Sequence, residues 1–242
     1  MARSLAGKHA VLLRQAIRLR RPGAILEFGV YRGTSARLLA RMFPFRQIHG
    51  FDSFEGFPAN GRPDWQIDFA GIEPPPVPRN VTLHRGWFHE TLPQALAKLT
   101  GPIGLVYIDC DLYSSTACVL DKLAEHGYLK PGLPIVFDEL LNYDTHLWNE
   151  LLAMFEALEA HNLGIRWTCV GGSVRPAPEA LQRLAQGHFG EGFEQDREAG
   201  YPAQASVVLT TEAEPWLPAP PELIDALRVQ TARFLNGELR RD

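Results

Sequence analysis

The apolar run Ile25-Leu26 ends in Glu27, Gly29 and Gly33 follow, and Thr34-Ser35 open a helical pattern. This order reads as a strand, a tight turn and a helix start. Glycine carries no Cβ, so a ligand can approach bare backbone at such a turn. The spacing G-x-x-x-G is not the G-x-G-x-x-G that cradles a pyrophosphate, and no G-K-[ST] follows to make a P-loop. A carboxylate just ahead of the first glycine repels a phosphate and attracts an ammonium group. The next strand, Gln47-Ile48-His49-Gly50-Phe51-Asp52, ends in an acid about 20 residues further on, where nucleotide-binding α/β folds accept hydrogen bonds from ribose hydroxyls. Adenosine recognition at one end and a cationic group at the other describe S-adenosylmethionine.

A second set of acids closes two more apolar runs. Leu105-Val106-Tyr107-Ile108 ends in Asp109-Cys110-Asp111, and Ile135-Val136-Phe137 ends in Asp138-Glu139. Ligands of an open α/β sheet bind beyond the carboxyl ends of its strands. Carboxylates crowded there repel one another unless they are protonated or bridged by a cation. A hard divalent ion, Mg²⁺ before Ca²⁺ or Mn²⁺, is the expected bridge. The competing readings are a shared proton and helix N-caps formed near Asp111, Ser114 and Ser115. A metal beside a sulfonium donor would lower the pKa of a substrate hydroxyl and template an in-line methyl transfer. His89 and His146, each read in a loop after a strand, are candidate general bases; a surface histidine is the plainer reading of each.

Strands and helices must alternate to place these groups on one edge. Strand-length apolar runs span Ala24 to Phe28, Gln47 to Phe51, Val81 to His84, Gly104 to Asp109 and Pro134 to Phe137. Near-continuous Ile, Val and Leu marks strands buried on both faces, as in a parallel sheet. Helical spacing runs from Ser35 to Phe43, from Thr116 onward with Ser114 or Ser115 available as N-cap, and from Leu147 to Leu158. Two late strands are expected at Arg166 to Val170 and Ala205 to Thr210. An N-terminal helix over 4–20, a lid-like stretch over 57–80 holding six prolines, an insertion over 171–202 with one helix, and a closing helix over 221–235 complete the layout. The expected fold is a doubly wound α/β sheet in one domain over 1–242.

The chain has 242 residues and a net charge of −4, which argues against nucleic acid and anionic membranes as partners. No apolar segment reads as a leader or a span. Cys110, Cys118 and Cys169 are scattered, so neither a disulfide framework nor a zinc site is expected, and a cytoplasmic setting follows.

Five pieces in order carry a family resemblance. They are Glu27-x-Gly29-Val30-Tyr31-x-Gly33-Thr34-Ser35, Gly50-Phe51-Asp52-Ser53-Phe54-Glu55-Gly56-Phe57-Pro58, Gly86-Trp87-Phe88-x-x-Thr91-Leu92-Pro93, Ile108-Asp109-x-Asp111-Leu112-Tyr113-Ser114-Ser115-Thr116 and Val136-Phe137-Asp138-Glu139. Together they resemble the macrocin O-methyltransferase (TylF-type) family of class I methyltransferases. The resemblance implies a Rossmann-like fold of seven strands, mostly parallel, with Ala205 to Thr210 antiparallel beside the fifth. It implies S-adenosylmethionine bound by Glu27, Phe28, Gly29, Tyr31, Gly33, Thr34, Ser35, Asp52, Ser53, Phe54, Trp87 and Asp109. It also implies Mg²⁺ on Asp109, Asp138 and Glu139, a small-molecule hydroxyl such as a sugar of a secondary metabolite as acceptor, and a homo-oligomer; Asp109 with the candidate bases His89 and His146 makes the expected catalytic set. The match covers about residues 24–160; beyond it the chain departs from the family pattern, which leaves the acceptor open. Two other readings stand beside this one: an NAD-linked oxidoreductase, disfavoured by the missing middle glycine, and a non-catalytic scaffold, disfavoured by the crowded acids.

Overall fold

A computed structural model of the chain describes residues 9–58, 69–140, 149–170 and 204–211, together with Val229 and Arg233. The strands are β1 (Ala24–Phe28), β2 (Ile48–Asp52), β3 (Val81–Arg85), β4 (Ile103–Ile108), β5 (Pro134–Phe137), β6 (Gly164–Val170) and β7 (Ala205–Thr210). They form one sheet in the order β3-β2-β1-β4-β5-β7-β6. The first five pair in parallel, and β7 lies antiparallel between β5 and β6. The chain order reverses between β1 and β4, which is the switch point where such sheets bind ligands.

The helices are α1 (Ala10–Arg18), α2 (Thr34–Met42), α3 (Phe88–Lys98), α4 (Tyr113–Glu125) and α5 (Glu150–Ala160). Alternation along each strand divides the core. Leu26 and Phe28, Val106 and Ile108, and Ile135 and Phe137 join Leu92, Leu120 and Leu151 of α3, α4 and α5 on one face. Ile25, Leu105, Tyr107 and Val136 join Leu12 and Leu39 of α1 and α2 on the other. Strand residues therefore face two apolar layers, which explains the unbroken apolar runs.

Several local expectations need correction. His89 is not in a loop; it sits in the first turn of α3, a helix that the sequence reading did not include and that holds Pro93 within it. Neither Ser114 nor Ser115 caps α4, which starts earlier, at Tyr113, with Leu112 at the cap position. Asp111 holds φ +61° just before it, so the turn is made by backbone conformation rather than by a serine side chain. The expected helix at 4–20 is described from Ala10. The helix placed in 171–202 lies outside the described residues, as does the 221–235 helix apart from Val229 and Arg233, both helical.

Candidate active site

Gly29 takes φ +90°, and a Cβ there would stand 1.7 Å from the Asp109 carbonyl oxygen. Glycine is required because β1 and β4 run together at this point, with Asp109 N–H bonded to the Phe28 carbonyl at 2.8 Å. Gly33 (φ +70°) precedes α2, and a Cβ there would meet the Pro75 ring at 2.9 Å. The proline-rich stretch is thus packed onto the glycine turn.

Asp52 organises this turn. Its Oδ2 accepts the N–H groups of Val30 (2.8 Å) and Tyr31 (2.7 Å), and its Oδ1 accepts that of Phe54 (2.8 Å). A carboxylate offers about four acceptor positions, so roughly one remains for a ribose hydroxyl.

Glu27 behaves differently from the expectation of an ammonium-seeking carboxylate. It is fully buried, Ser35 donates its hydroxyl to Oε1, and Oε2 has no hydrogen-bond partner among the described residues. Burial, with the nearby Asp52 charge adding to it against the Ser35 bond, raises its pKa to about 8. Glu27 is therefore largely protonated at neutral pH, because its charge has been taken out of water without a cation to balance it.

A cavity of about 420 Å³ opens beyond the carboxyl ends of the strands. Of the residues singled out in the sequence, Gly29, Tyr31, Asp52, Ser53, Phe54, Trp87, His89 and Asp109 line it. Glu27, Phe28, Gly33, Thr34 and Ser35 do not line it; Phe28 is buried, stacked on Phe51 at 4.9 Å, and Thr34 is exposed. His146 lies outside the described residues. Phe57 and Asp111, both within the family-like pieces, and Phe69 of the lid-like stretch also form walls, with Phe57 and Phe69 in edge contact at 5.1 Å. Phe69 also meets Tyr31 edge-on at 5.2 Å, so an aromatic rim joins the glycine turn to the proline-rich stretch.

The acid end lies at the tips of β4 and β5. Tyr107 Oη donates to Asp138 Oδ1 at 2.6 Å and approaches Asp109 Oδ2 at 3.1 Å. One hydroxyl has one hydrogen, so the longer approach sets two oxygens together unless a proton or cation lies between them. Burial first, then Glu139 and Asp109, push the Asp111 carboxyl well above the usual range. Glu150, at the start of α5, is raised in the same way, by burial and then by Glu139, Asp109 and Asp138. Asp111 was legible as the second acid of D-x-D, but only the structure places it in the cavity wall. Among the described residues, no three His, Cys, Asp or Glu side chains form a group that could hold a metal ion. The expected set Asp109, Asp138 and Glu139 is thus not gathered into a metal site among the described residues.

Residues 26–140 match the family model described as a methyltransferase domain. The chain is 31% identical to calicheamicin methyltransferase CalS11, a match covering 67% of this chain and 73% of that one with a TM-score of 0.51. It is 10% identical to a cyclopropane-fatty-acyl-phospholipid synthase-like protein from Lactobacillus casei ATCC 334, covering 86% and 90% with a TM-score of 0.48. It is 15% identical to precorrin-6y C5,15-methyltransferase from Geobacter metallireducens GS-15, covering 85% and 87% with a TM-score of 0.43. No curated protein sequence matches. The seven-stranded sheet and the glycine turn define a class I methyltransferase. The chain belongs to the S-adenosylmethionine-dependent methyltransferases.

Proposed function

We propose that this methyltransferase is a TylF-type O-methyltransferase that acts on a hydroxyl of a small molecule, with a sugar of a secondary metabolite as the leading acceptor. The carrying observation is that a single cavity joins the Asp52 turn to two β4-end acids, Asp109 and Asp111. Bound S-adenosylmethionine supplies an activated methyl group. Asp52 and the backbone of the glycine turn would hold its ribose and methionine parts, and the aromatic rim with Trp87 would cover its adenine. Asp111 is the first candidate proton acceptor for the substrate hydroxyl, because its carboxyl lines the cavity beside Asp109. His89 lines the same cavity and is the second candidate base.

Asp109, Asp138 and Glu139 are the residues that would hold Mg²⁺, which would act as a Lewis acid on the substrate oxygen. The support is the repulsion among these acids. The free thiols Cys110, Cys118 and Cys169 favour a cytoplasmic setting. Among the described residues, no helix is long and apolar enough to cross a membrane. We extend the reading to the whole chain as one domain that works as a homo-oligomer, without nucleic acid or membrane as partner.

Isothermal titration with S-adenosylmethionine and with NAD, each with and without Mg²⁺, tests the donor site and the metal. Methyl-labelled donor supplied with a panel of glycosides and their aglycones then tests the acceptor. Labelling of aglycones alone would remove the sugar from the proposal, and labelling of nothing but amines would remove O-methylation.

A further inference from the structure

An open cleft of about 750 Å³ lies at the opposite edge of the sheet, where β1, β2 and β4 begin and α3 ends. Its walls include Gly23, Phe45, Arg46, His49, His84 and Lys98, with no carboxylate among the described residues. None of those residues also lines the active-site cavity. In a chain of net charge −4, such a wall is a local positive patch. The last carbonyls of α3 favour a cation at this end, and Lys98 in that last turn answers them with a full charge. Among the described residues, Lys98 pairs with no carboxylate. The Arg46 guanidinium is held in place, with one N–H group donating to the Arg21 carbonyl at 2.8 Å and the Phe43 ring 5.0 Å away. Most of its five N–H donors are left for other partners.

The paired histidines add a neutral donor. His49 Nδ1 and His84 Nε2 stand 3.0 Å apart and share one hydrogen. Two neutral imidazoles carry two N–H hydrogens, so in either tautomer one outer nitrogen, His49 Nε2 or His84 Nδ1, is a donor. Neither outer nitrogen is hydrogen-bonded among the described residues, and both residues line the cleft. The rings are fixed in advance: His84 stacks on Phe51 at 4.5 Å and 11°, and His49 on His84 at 5.3 Å and 22°. A donor already held in place costs a ligand less ordering. Phe45, on the cleft wall, is 99% exposed, and a flat apolar group laid on it would take that ring out of water.

We propose that this cleft is a second ligand site, for a small phosphate monoester with a flat apolar body. Lys98, Arg46 and the His49–His84 pair receive the phosphate, and Phe45 receives the body. A phosphate monoester carries about −1.5 to −2 charges near neutral pH, which two permanent cations match better than they match a carboxylate. The proposal does not rest on the methyltransferase reaction.

The test titrates phenyl phosphate, benzoate, inorganic phosphate and benzylamine into the full chain at neutral pH, following the ring NMR signals of His49, His84 and His89. Phenyl phosphate should saturate the His49 and His84 signals while His89, in the active-site cavity, stays unmoved. Benzoate and inorganic phosphate should each bind at least about threefold more weakly, and benzylamine should not bind. Two surface variants separate the halves of the site. Lys98→Gln should weaken both phosphates about threefold or more, whereas Phe45→Ala should weaken phenyl phosphate and leave inorganic phosphate unchanged. Absence of any shift at the histidine pair, or a shift at His89 alone, would overturn the site. Benzoate or benzylamine binding as tightly as phenyl phosphate would overturn the phosphate. Equal affinity for phenyl phosphate and inorganic phosphate would overturn the apolar body.

Discussion

The two ends of the cavity use the same residue types in opposite ways. At the β2 end, Asp52 meets three backbone N–H donors, so its charge is answered by the turn it organises. At the β4–β5 end, Asp109, Asp111, Asp138, Glu139 and Glu150 crowd together, and Tyr107, Gln204 and one backbone N–H are among the groups that answer them. A carboxylate with donors around it is a finished structural part; Asp111 and Glu150, whose pKa values burial and then the neighbouring acids raise, are held ready for a proton. Glu27 stands between these cases, desolvated and lacking a cation.

The largest expected effect is at the seam of the two ends. Gly29→Ala forces a Cβ into the Asp109 carbonyl at a positive φ, and should cost more than about 3 kcal/mol of stability in urea unfolding. A smaller loss would mean that β1 and β4 separate easily there.

Next is Glu27→Gln. Glu27 binds its proton more tightly in the folded chain, so between pH 4.5 and about 8 the folded state holds more protons than the unfolded one. Its contribution to stability is intact below pH 4.5 and lost as pH rises toward 8. The neutral glutamine should therefore gain on the wild type as pH rises, by on the order of a few kcal/mol at pH 8. A pH-independent difference between the two would show that Glu27 finds a balancing charge in solution.

The third prediction sets the two ends against each other. Asp52→Asn turns an amide toward backbone donors and should lose about 1–3 kcal/mol and weaken S-adenosylmethionine binding at least tenfold. Asp138→Asn removes one of the repelling charges and keeps an oxygen for Tyr107 and Gln204. Without divalent ions it should be neutral or stabilising by up to about 1 kcal/mol. Equal losses in both would erase the distinction drawn between the two ends.

The smallest effect lies away from the cavity. His49 Nδ1 and His84 Nε2 are 3.0 Å apart, and His84 stacks on Phe51 at 4.5 Å. Burial, then the neighbouring His49 and Lys98, lower the His84 pKa to about 4. The unfolded chain takes up this proton first, so stability should fall as pH drops from 6.5 toward 4. His84→Phe should flatten that limb of the urea midpoint against pH.

The apolar runs determined five parallel strands by themselves, because residues buried on both faces leave a continuous apolar signature. The glycine pair and the acids at strand ends also determined where the ligand edge lies, since strand periodicity fixes which residue stands at each tip. The helix over Phe88–Lys98 was not legible, because Pro93 reads locally as a breaker while tertiary packing of Leu92 and Leu96 holds the helix together. Only the tertiary structure decided the protonation of Glu27, which depends on desolvation rather than residue type. Only it joined Gln204 to Asp138 and Val11, since an antiparallel register between distant segments carries no local sequence signal. Short-range pattern specifies elements and their tips; charge state and long-range pairing follow from what the folded chain excludes from water.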